Sequence, residues 1–286
     1  FITLNSEFGL GRNVKLFKIQ ISFQGVLGMV IRDIQAGRIS LPLRTPFKTA
    51  LRTVDAVDDV VVRVVADDGQ VGYGEAPPTA VITGDTLGSI ACAVKDFIRP
   101  ALVGMDVEDL DAVMAKLQGC MVKNTSAKAA VDMAVLDLWG KRWGAPLYQL
   151  LGGARRCFQT DITISVNSID QMVSDSLDAV RRGYRTLKIK VGKEGVQDVA
   201  RIAAIRKAVG PEVLLRVDAN QGWDARQSVA IISAMEDQGL DIELVEQPVK
   251  AHDLEGMRYI TQRVQTPILA DESVFSPADA IHIIQS

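Results

Sequence analysis

Four apolar segments set the architecture of this 286-residue chain: TLKIKVG (186–192), VLLRVDAN (213–220), IELVEQP (242–248) and TPILADES (266–273). Each carries a charged side chain near its end, and successive charges are 28, 28 and 25 residues apart: Lys190, Asp218, Glu246 and Asp271. Such an interval fits one strand, one helix and their two connections. Because a charge at the end of a buried strand is costly unless it is used, the spacing predicts an enzyme site built from successive strand ends, as in a (β/α) barrel.

The composition narrows the classes of protein to which the chain can belong. It is 48% hydrophobic and 23% charged with a formal net charge of −3, which is typical of a soluble globular protein. The sequence contains no basic patch or nucleic-acid-reading motif, and no apolar run has transmembrane length. The three cysteines form no CxxC pair, so we expect a reduced, cytoplasmic protein.

Histidine is scarce, and this limits the chemistry. The sequence has two histidines, His252 and His282, which excludes a histidine-rich zinc site and leaves few options for a serine triad. We therefore expect oxygen ligands for any metal, and Lys, Asp or Glu as any general base.

The first half of the chain divides into two predicted parts. Residues 1–28 lack a clear period and are interpreted as an upstream or non-native extension. Residues 29–156 combine alternating, strand-like runs with helical stretches, which indicates an α+β domain. Within this domain we expect one helix to stop at Pro100 and another to run from Ser126, as its N-cap, to Gly144.

From 157 to 286 the pattern becomes a strict alternation of strand and helix. Five βα units follow one another, which predicts a parallel sheet with helical crossovers. Eight such units close a barrel, so we interpret 157–286 as a partial (β/α) barrel and expect the natural chain to continue beyond Ser286. A doubly wound open sheet is the alternative.

The side chains at the strand ends indicate a metal and a base. Strand residues alternate between faces, so Lys188 shares a face with Lys190, and each acid ends its strand on the inward face. Three carboxylates at a barrel mouth repel one another unless a cation neutralises them, and hard oxygen ligands favour Mg²⁺. Positive charge from that cation and from a second ammonium favours the neutral form of a neighbouring lysine. A neutral lysine can act as the base that removes a proton α to a carboxylate.

These motifs resemble the enolase superfamily, in its muconate-lactonising subgroup. The similarity rests on KIK, DAN, VEQP and ADES in this order and covers roughly residues 29–286. It implies an α+β capping domain over a modified (β/α) barrel, with Lys190 as one acid/base and Lys188 as the neighbour that contacts the substrate carboxylate or tunes the base. Asn220 would be an accessory polar group. The implied Mg²⁺ ligands are Asp218, Glu246 and Asp271.

A narrower similarity lies in the first domain. The segments PFKTALRTV, GYGEAPPTAVITGD and NTSAKAAVDMAVLDLWGK are similar to those of the dipeptide epimerases that act on L-Ala-D/L-Glu. In that group an arginine on the first capping loop meets the acidic end of the substrate, and the matching residue here is Arg52. Thr163, on the first barrel strand, matches a position that lines the pocket. The resemblance thus implies a dipeptide substrate whose α-proton is removed and returned.

One departure from the subgroup pattern leaves alternatives open. The second lysine, expected on a sixth barrel strand, and a later aspartate-containing loop are absent from these 286 residues. A truncated chain that binds metal or a partner without turnover is therefore the second hypothesis. Among enzymes, o-succinylbenzoate synthase, N-acylamino acid racemase and cycloisomerase share the implied ligands, and the resemblance leaves a homo-oligomer open for the full-length protein.

Overall fold

The chain folds into two units of different architecture. The computed structural model describes residues 28–154, 156–192 and 194–286, so the predicted extension lies outside the described residues apart from Gly28. The described residues of the first unit are 28–39, 59–78 and 85–154. Those of the second unit are 40–58, 79–84 and the described residues from 156 onward.

The first unit combines a three-stranded sheet, in the order β1-β2-β3, with helices. The strands are β1 (Ile31–Lys48), β2 (Thr53–Ala66) and β3 (Val71–Ala76), and the distal parts of β1 and β2 belong to the second unit. The helices are α1 (Leu87–Cys92), α2 (Arg99–Leu102), α3 (Leu110–Gly119), α4 (Thr125–Trp143) and α5 (Leu147–Leu150). Alternation along β2 buries Val60, Val62 and Val64 on one face, and these side chains join the core under α4.

Two glycines of β3 determine how closely α4 packs on the sheet. A Cβ at Gly72 would collide with the carbonyl oxygen of Ala134, and a Cβ at Gly74 with that of Ala130. The helix therefore lies directly on the strand backbone, an approach that only glycine allows.

Two predicted helix boundaries of this unit are wrong. The helix does not stop at Pro100 but continues to Leu102. A π-helical turn (Ala93–Ile98) precedes α2, and Pro100 lies in the first turn of α2, where no N–H donor is needed. Ser126 is not the N-cap of α4. That position is Asn124, and the Ser126 hydroxyl instead donates to Asp85 Oδ2 at 2.5 Å. The predicted end at Gly144 is confirmed, with a left-handed φ of 60°.

The second unit is a five-stranded parallel sheet in the sequential order β4-β5-β6-β7-β8. Its strands are β4 (Ile162–Ile164), β5 (Thr186–Lys190), β6 (Leu214–Asp218), β7 (Ile242–Glu246) and β8 (Ile268–Leu269). The helices that follow them are α6 (Ile169–Arg181), α7 (Val196–Val209), α8 (Ala225–Asp237), α9 (Leu254–Thr261) and α10 (Pro277–Gln285). A doubly wound sheet would reverse its order at a switch point, so the sequential order confirms the predicted partial barrel.

Apolar helix faces cover one side of this sheet. The outward residues Leu187, Ile189 and Val217 are fully buried in a core that includes Ile202 and Ile232. The inward face therefore remains for the charged side chains. Within the described residues, no helix has both the length and the apolar character needed to cross a membrane.

The packing of β3 on α4 gives a stability test. Gly74→Ala should destabilise the first unit by roughly 1–3 kcal/mol, because the added methyl group meets backbone that cannot move aside. Gly37→Ala on β1 is the matched control, since a Cβ there meets nothing within 4 Å. Urea unfolding of both variants measures the difference, and equal stability of the two would contradict the close contact.

Candidate active site

The parallel register of the second sheet aligns three charged strand ends. Lys190 of β5 pairs with Asp218 of β6, and Asp218 pairs with Glu246 of β7. Each is the last residue of its strand, and each is buried. Paired residues of neighbouring parallel strands project to the same face. The three side chains therefore form a strand-end row at the carboxyl edge of the sheet.

A second row lies two residues nearer the amino ends of the strands. Thr163 of β4 pairs with Lys188, and Lys188 pairs with Arg216. Arg216 is held by Glu243 at 2.6 Å and by Asp161 at 3.0 Å. Thr163 and Lys188 thus share a face with the strand-end row, and the half-buried Thr163 is one row below it.

Lysine–carboxylate bonds connect the two rows. Lys190 Nζ lies 2.6 Å from Asp218 Oδ2, and Lys188 Nζ lies 2.9 Å from the same oxygen. Lys188 Nζ also donates to Glu246 Oε1 at 2.7 Å. Two ammonium groups and two carboxylates thus form one chain of charge-assisted hydrogen bonds, in which Asp218 is fully buried.

Burial and charge shift the pKa values along this chain in different directions. Burial alone would raise the pKa of Asp218, but the ammonium groups of Lys190 and Lys188 hold it below its usual range. Burial likewise acts to lower the pKa of Lys188, while its hydrogen bond to Glu246 and the charge of Asp218 outweigh this and raise it. Burial raises the pKa of Glu246 to about 7, and the charges of Asp218 and Asp271 act in the same direction.

Asp271 reaches the same edge from the loop after β8. Glu246 pairs with Leu269, Asp271 follows two residues later, and the charge of Asp271 acts to raise the pKa of Glu246. Its side chain is exposed, and its carboxylate has no hydrogen bond or ion pair to any described residue. Asp271 therefore presents a free carboxylate at the rim of the strand-end row.

The three predicted metal ligands lie at one edge of the sheet but do not form a preformed metal site. Among the described residues, no three His, Cys, Asp or Glu side chains come together as metal ligands. Instead, the lysines bond to carboxylate oxygens of Asp218 and Glu246. The donor chemistry nevertheless fits a hard divalent cation. Burial, with a further contribution from the charges of Asp218 and Asp271, raises the pKa of Glu246, and a bound cation would favour its charged form.

The loop between β1 and β2 carries Arg52 to this edge. Lys48 N donates to Ser165 Oγ at 3.3 Å and Val166 N donates to Lys48 O at 3.1 Å, so the loop is fixed just beyond β4. The buried Thr49 hydroxyl accepts from Arg52 N at 3.3 Å and closes the turn. The half-buried Arg52 guanidinium has no partner among the described residues. A second charge without a partner among the described residues, opposite in sign to Asp271, thus lies on the loop held just beyond β4.

Asn220 lies between the loops after β6 and β8. Its backbone N–H donates to Asp218 Oδ1 at 2.9 Å, and its side-chain Nδ2 donates to Glu272 Oε1 at 3.4 Å. Burial raises the pKa of Glu272. The φ angles of Asn220 (42°) and Gln221 (66°) are in the left-handed region, which asparagine tolerates but which is unfavourable for glutamine. Such conformations concentrate at functional sites, where neighbouring contacts hold them.

Sequence reasoning missed Asp198, which braces the loops after β5 and β6. Its fully buried carboxylate accepts from Gly192 N at 3.0 Å, from Trp223 Nε1 at 3.1 Å and from Arg201 Nη1 at 2.8 Å. Gly192 follows Lys190 by two residues, and Trp223 follows Asp218 by five. No apolar period marks a polar residue in the first turn of a helix, so the sequence offered no signal for this role. Glu272 and Gln247 were also missed, although they lie within the motifs ADES and VEQP.

An α+β unit, a sequential parallel βα sheet, and lysines facing carboxylates at its strand ends define an enzyme of the enolase type. Residues 33–152 match the family model of the mandelate racemase/muconate lactonizing enzyme N-terminal domain, and residues 171–286 match that of the enolase C-terminal domain-like family. The chain belongs to the mandelate racemase/muconate lactonizing enzyme family of the enolase superfamily, and it is an isomerase by class.

The relatives of this chain include several dipeptide epimerases. An L-Ala-D/L-Glu epimerase of Clostridium acetobutylicum is 54% identical over 257 residues, which are 90% of this chain and 72% of the relative. The substrate-liganded L-Ala-D/L-Glu epimerase structure from Bacillus subtilis is 50% identical with a TM-score of 0.87, again over 90% and 72%. The dipeptide epimerase of Enterococcus faecalis, solved with Mg and L-Leu-L-Tyr, is 39% identical with a TM-score of 0.85, over 90% of this chain and 72% of that one.

The raised pKa of Glu246 predicts a pH-dependent stability. Its folded-state pKa of about 7 lies above the ordinary value of 4.5, so the stability that it contributes is full below about pH 4.5 and is lost as the pH rises through 7. Glu246→Gln mimics the protonated form. In the presence of a chelator, urea unfolding at pH 5 to 8 should show the wild type losing stability relative to Glu246→Gln as the pH rises. A constant difference between the two would contradict the shift.

Proposed function

We propose that the protein is a Mg²⁺-dependent epimerase of acidic dipeptides such as L-Ala-D/L-Glu, acting at the carbon α to a carboxylate. The observation that carries the proposal is the chain of bonds from Lys190 through Asp218 and Lys188 to Glu246, at the edge of the sheet where barrel enzymes react. Relatives named L-Ala-D/L-Glu epimerase, at 54% and 50% identity, support the reaction and the substrate class.

The residues that would hold Mg²⁺ are Asp218, Glu246 and Asp271. When bound, the metal supplies positive charge that stabilises the negative charge developing on the substrate carboxylate during proton removal. Carboxylate oxygens that bind a cation are no longer available to Lys190. Lys190 Nζ would then be free to turn from Asp218 Oδ2 toward the substrate.

The two lysines have different tasks in this proposal. Lys190 is the acid/base whose Nζ removes or returns the α-proton on one face of the substrate. Lys188, whose pKa is raised by its hydrogen bond to Glu246 and the charge of Asp218, contacts the substrate carboxylate or tunes the base. One row separates the two on β5, so both Nζ atoms reach Asp218 Oδ2.

Specificity in this proposal comes from Arg52. A half-buried guanidinium without a partner among the described residues is suited to bind the side-chain carboxylate of a C-terminal glutamate. Thr163 would line the pocket one row below the strand-end row.

Three free cysteines, Cys92, Cys120 and Cys157, support a reducing, cytoplasmic setting.

The metal proposal predicts a stabilisation by Mg²⁺. At about 100 times its Kd, Mg²⁺ should stabilise the folded state by about 2.7 kcal/mol, which corresponds to roughly 5–10 °C in Tm. Asp271→Asn should remove most of this shift. The exposed Asp237→Asn on α8 is the control and should keep it. Differential scanning fluorimetry with and without Mg²⁺ measures the effect, and an equal shift in all three proteins would remove Asp271 from the site.

The acid/base proposal predicts that charge alone cannot replace Lys190. Lys190→Ala and Lys190→Arg should each lower kcat for epimerisation by at least about 10²-fold, because arginine keeps the ion pair with Asp218 but cannot act as a base. The exposed Lys207→Ala should retain full activity. Turnover is followed by NMR with L-Ala-L-Glu in deuterated water, and an active Lys190→Arg would refute the role.

The specificity proposal predicts a substrate-dependent loss. Arg52→Met should lower kcat/KM about 10- to 100-fold for dipeptides ending in Glu, because a charge-assisted contact is lost, and far less for those ending in Leu. Arg44→Met, at an exposed position of β1, is the matched control and should change neither value. Equal losses on both substrates would mean that Arg52 acts only on the structure of its loop.

A further inference from the structure

A buried glutamine joins the loops that follow β7 and β8. Gln247, next to Glu246, is fully buried, and its Oε1 accepts from Asp271 N at 2.9 Å and from Ser273 N at 3.2 Å. Its Nε2 donates to Ser273 Oγ at 2.8 Å and to Val249 O at 3.0 Å. Both lone pairs and both N–H groups of the amide are therefore used.

The backbone of Gln247 is bonded as completely as its side chain. Its N–H donates to Leu269 O at 2.9 Å, and its carbonyl accepts from Gln221 N at 2.7 Å. Its φ of 37° is in the left-handed region, which costs free energy for a residue with a side chain. Such a conformation persists because bonds from three strand-end loops hold it.

The bond to Asp271 matters most among these contacts. The carboxylate of Asp271 has no hydrogen bond or ion pair to any described residue, so no direct contact fixes its direction. Its backbone N–H, in contrast, is held by Gln247 Oε1. The position of Asp271 relative to Glu246 is thus set through the residue that adjoins Glu246 in the chain.

We propose that Gln247 is a positioning residue for the metal site: it binds the backbone of Asp271 and so keeps this carboxylate within reach of a cation shared with Glu246. The inference rests on the proposed function, since it assumes that Asp271 is a ligand. Partners that orient metal ligands in this way typically change metal affinity about 10- to 100-fold when they are removed.

The test compares metal affinity with stability in four variants of the purified protein, with the wild type and Asp271→Asn as references. Gln247→Leu removes all side-chain hydrogen bonds at nearly constant volume, and Gln247→Asn keeps a buried amide that is too short to reach Asp271 N. Ser273→Ala removes one partner of Gln247 but leaves the bond to Asp271. Arg206→Met removes bonds to the carbonyls of Leu240 and Val213 at the opposite edge of the sheet.

Mn²⁺ affinity is measured by electron paramagnetic resonance, and stability by urea unfolding without metal. Both Gln247 variants should weaken Mn²⁺ binding about 10- to 100-fold, whereas Ser273→Ala and Arg206→Met should lower stability and leave the Kd nearly unchanged. Gln247 variants that bind Mn²⁺ as the wild type does, or that fail to fold at all, would overturn the positioning role. A wild type that binds no Mn²⁺, or an Asp271→Asn variant that binds it equally well, would instead refute the proposed metal site.

Discussion

The register between β5, β6 and β7 is the constraint on which the site depends. It sets Lys190 beside Asp218 and Asp218 beside Glu246. A slip of one residue between β5 and β6 would turn Asp218 to the apolar outer face and leave the buried ammonium of Lys190 without its counter-charge. The native register is therefore the one in which the buried charges are paired. The same ion pairs that carry the proposed chemistry also specify how the strands align.

The residues around this row are of two kinds: buried side chains that hold the loops, and charged side chains without a partner. Two buried side chains brace the loops: Asp198 joins those after β5 and β6, and Gln247 joins those after β7 and β8. At the rim, Arg52 and Asp271 are free of ion pairs with the described residues. In the proposed site, braced loops would carry the unpaired side chains of Arg52 and Asp271, a combination suited to a ligand that brings both a carboxylate and a metal.

Much of the fold could be predicted from the sequence, and so could the alignment of Lys190, Asp218 and Glu246 at one edge of the sheet. The period-two alternation in TLKIKVG and the regular interval to Asp218 and Glu246 depend only on local geometry, so they predicted the shared face and the parallel sheet. The enolase-type family followed from the order of the motifs.

Contacts between residues that are far apart in the sequence could not be predicted in this way. Nothing in the sequence shows that Lys188 bonds to two carboxylates, or that Asp198 accepts from Trp223, since these depend on the packing of whole helices. Predictions from local sequence also failed where tertiary contacts compete with them. The Ser126 hydroxyl, for example, donates to Asp85 and does not cap α4. The roles assigned to the site residues stay predictions.

The most direct test of the account is a crystal structure with Mn²⁺, located by its anomalous scattering. We expect one Mn²⁺ peak at the carboxyl edge of the sheet, contacted by oxygens of Asp218, Glu246 and Asp271, with Lys190 Nζ no longer bonded to Asp218 Oδ2. A crystal grown with saturating Mn²⁺ that shows no peak there, with the lysine–carboxylate bonds intact, would contradict it.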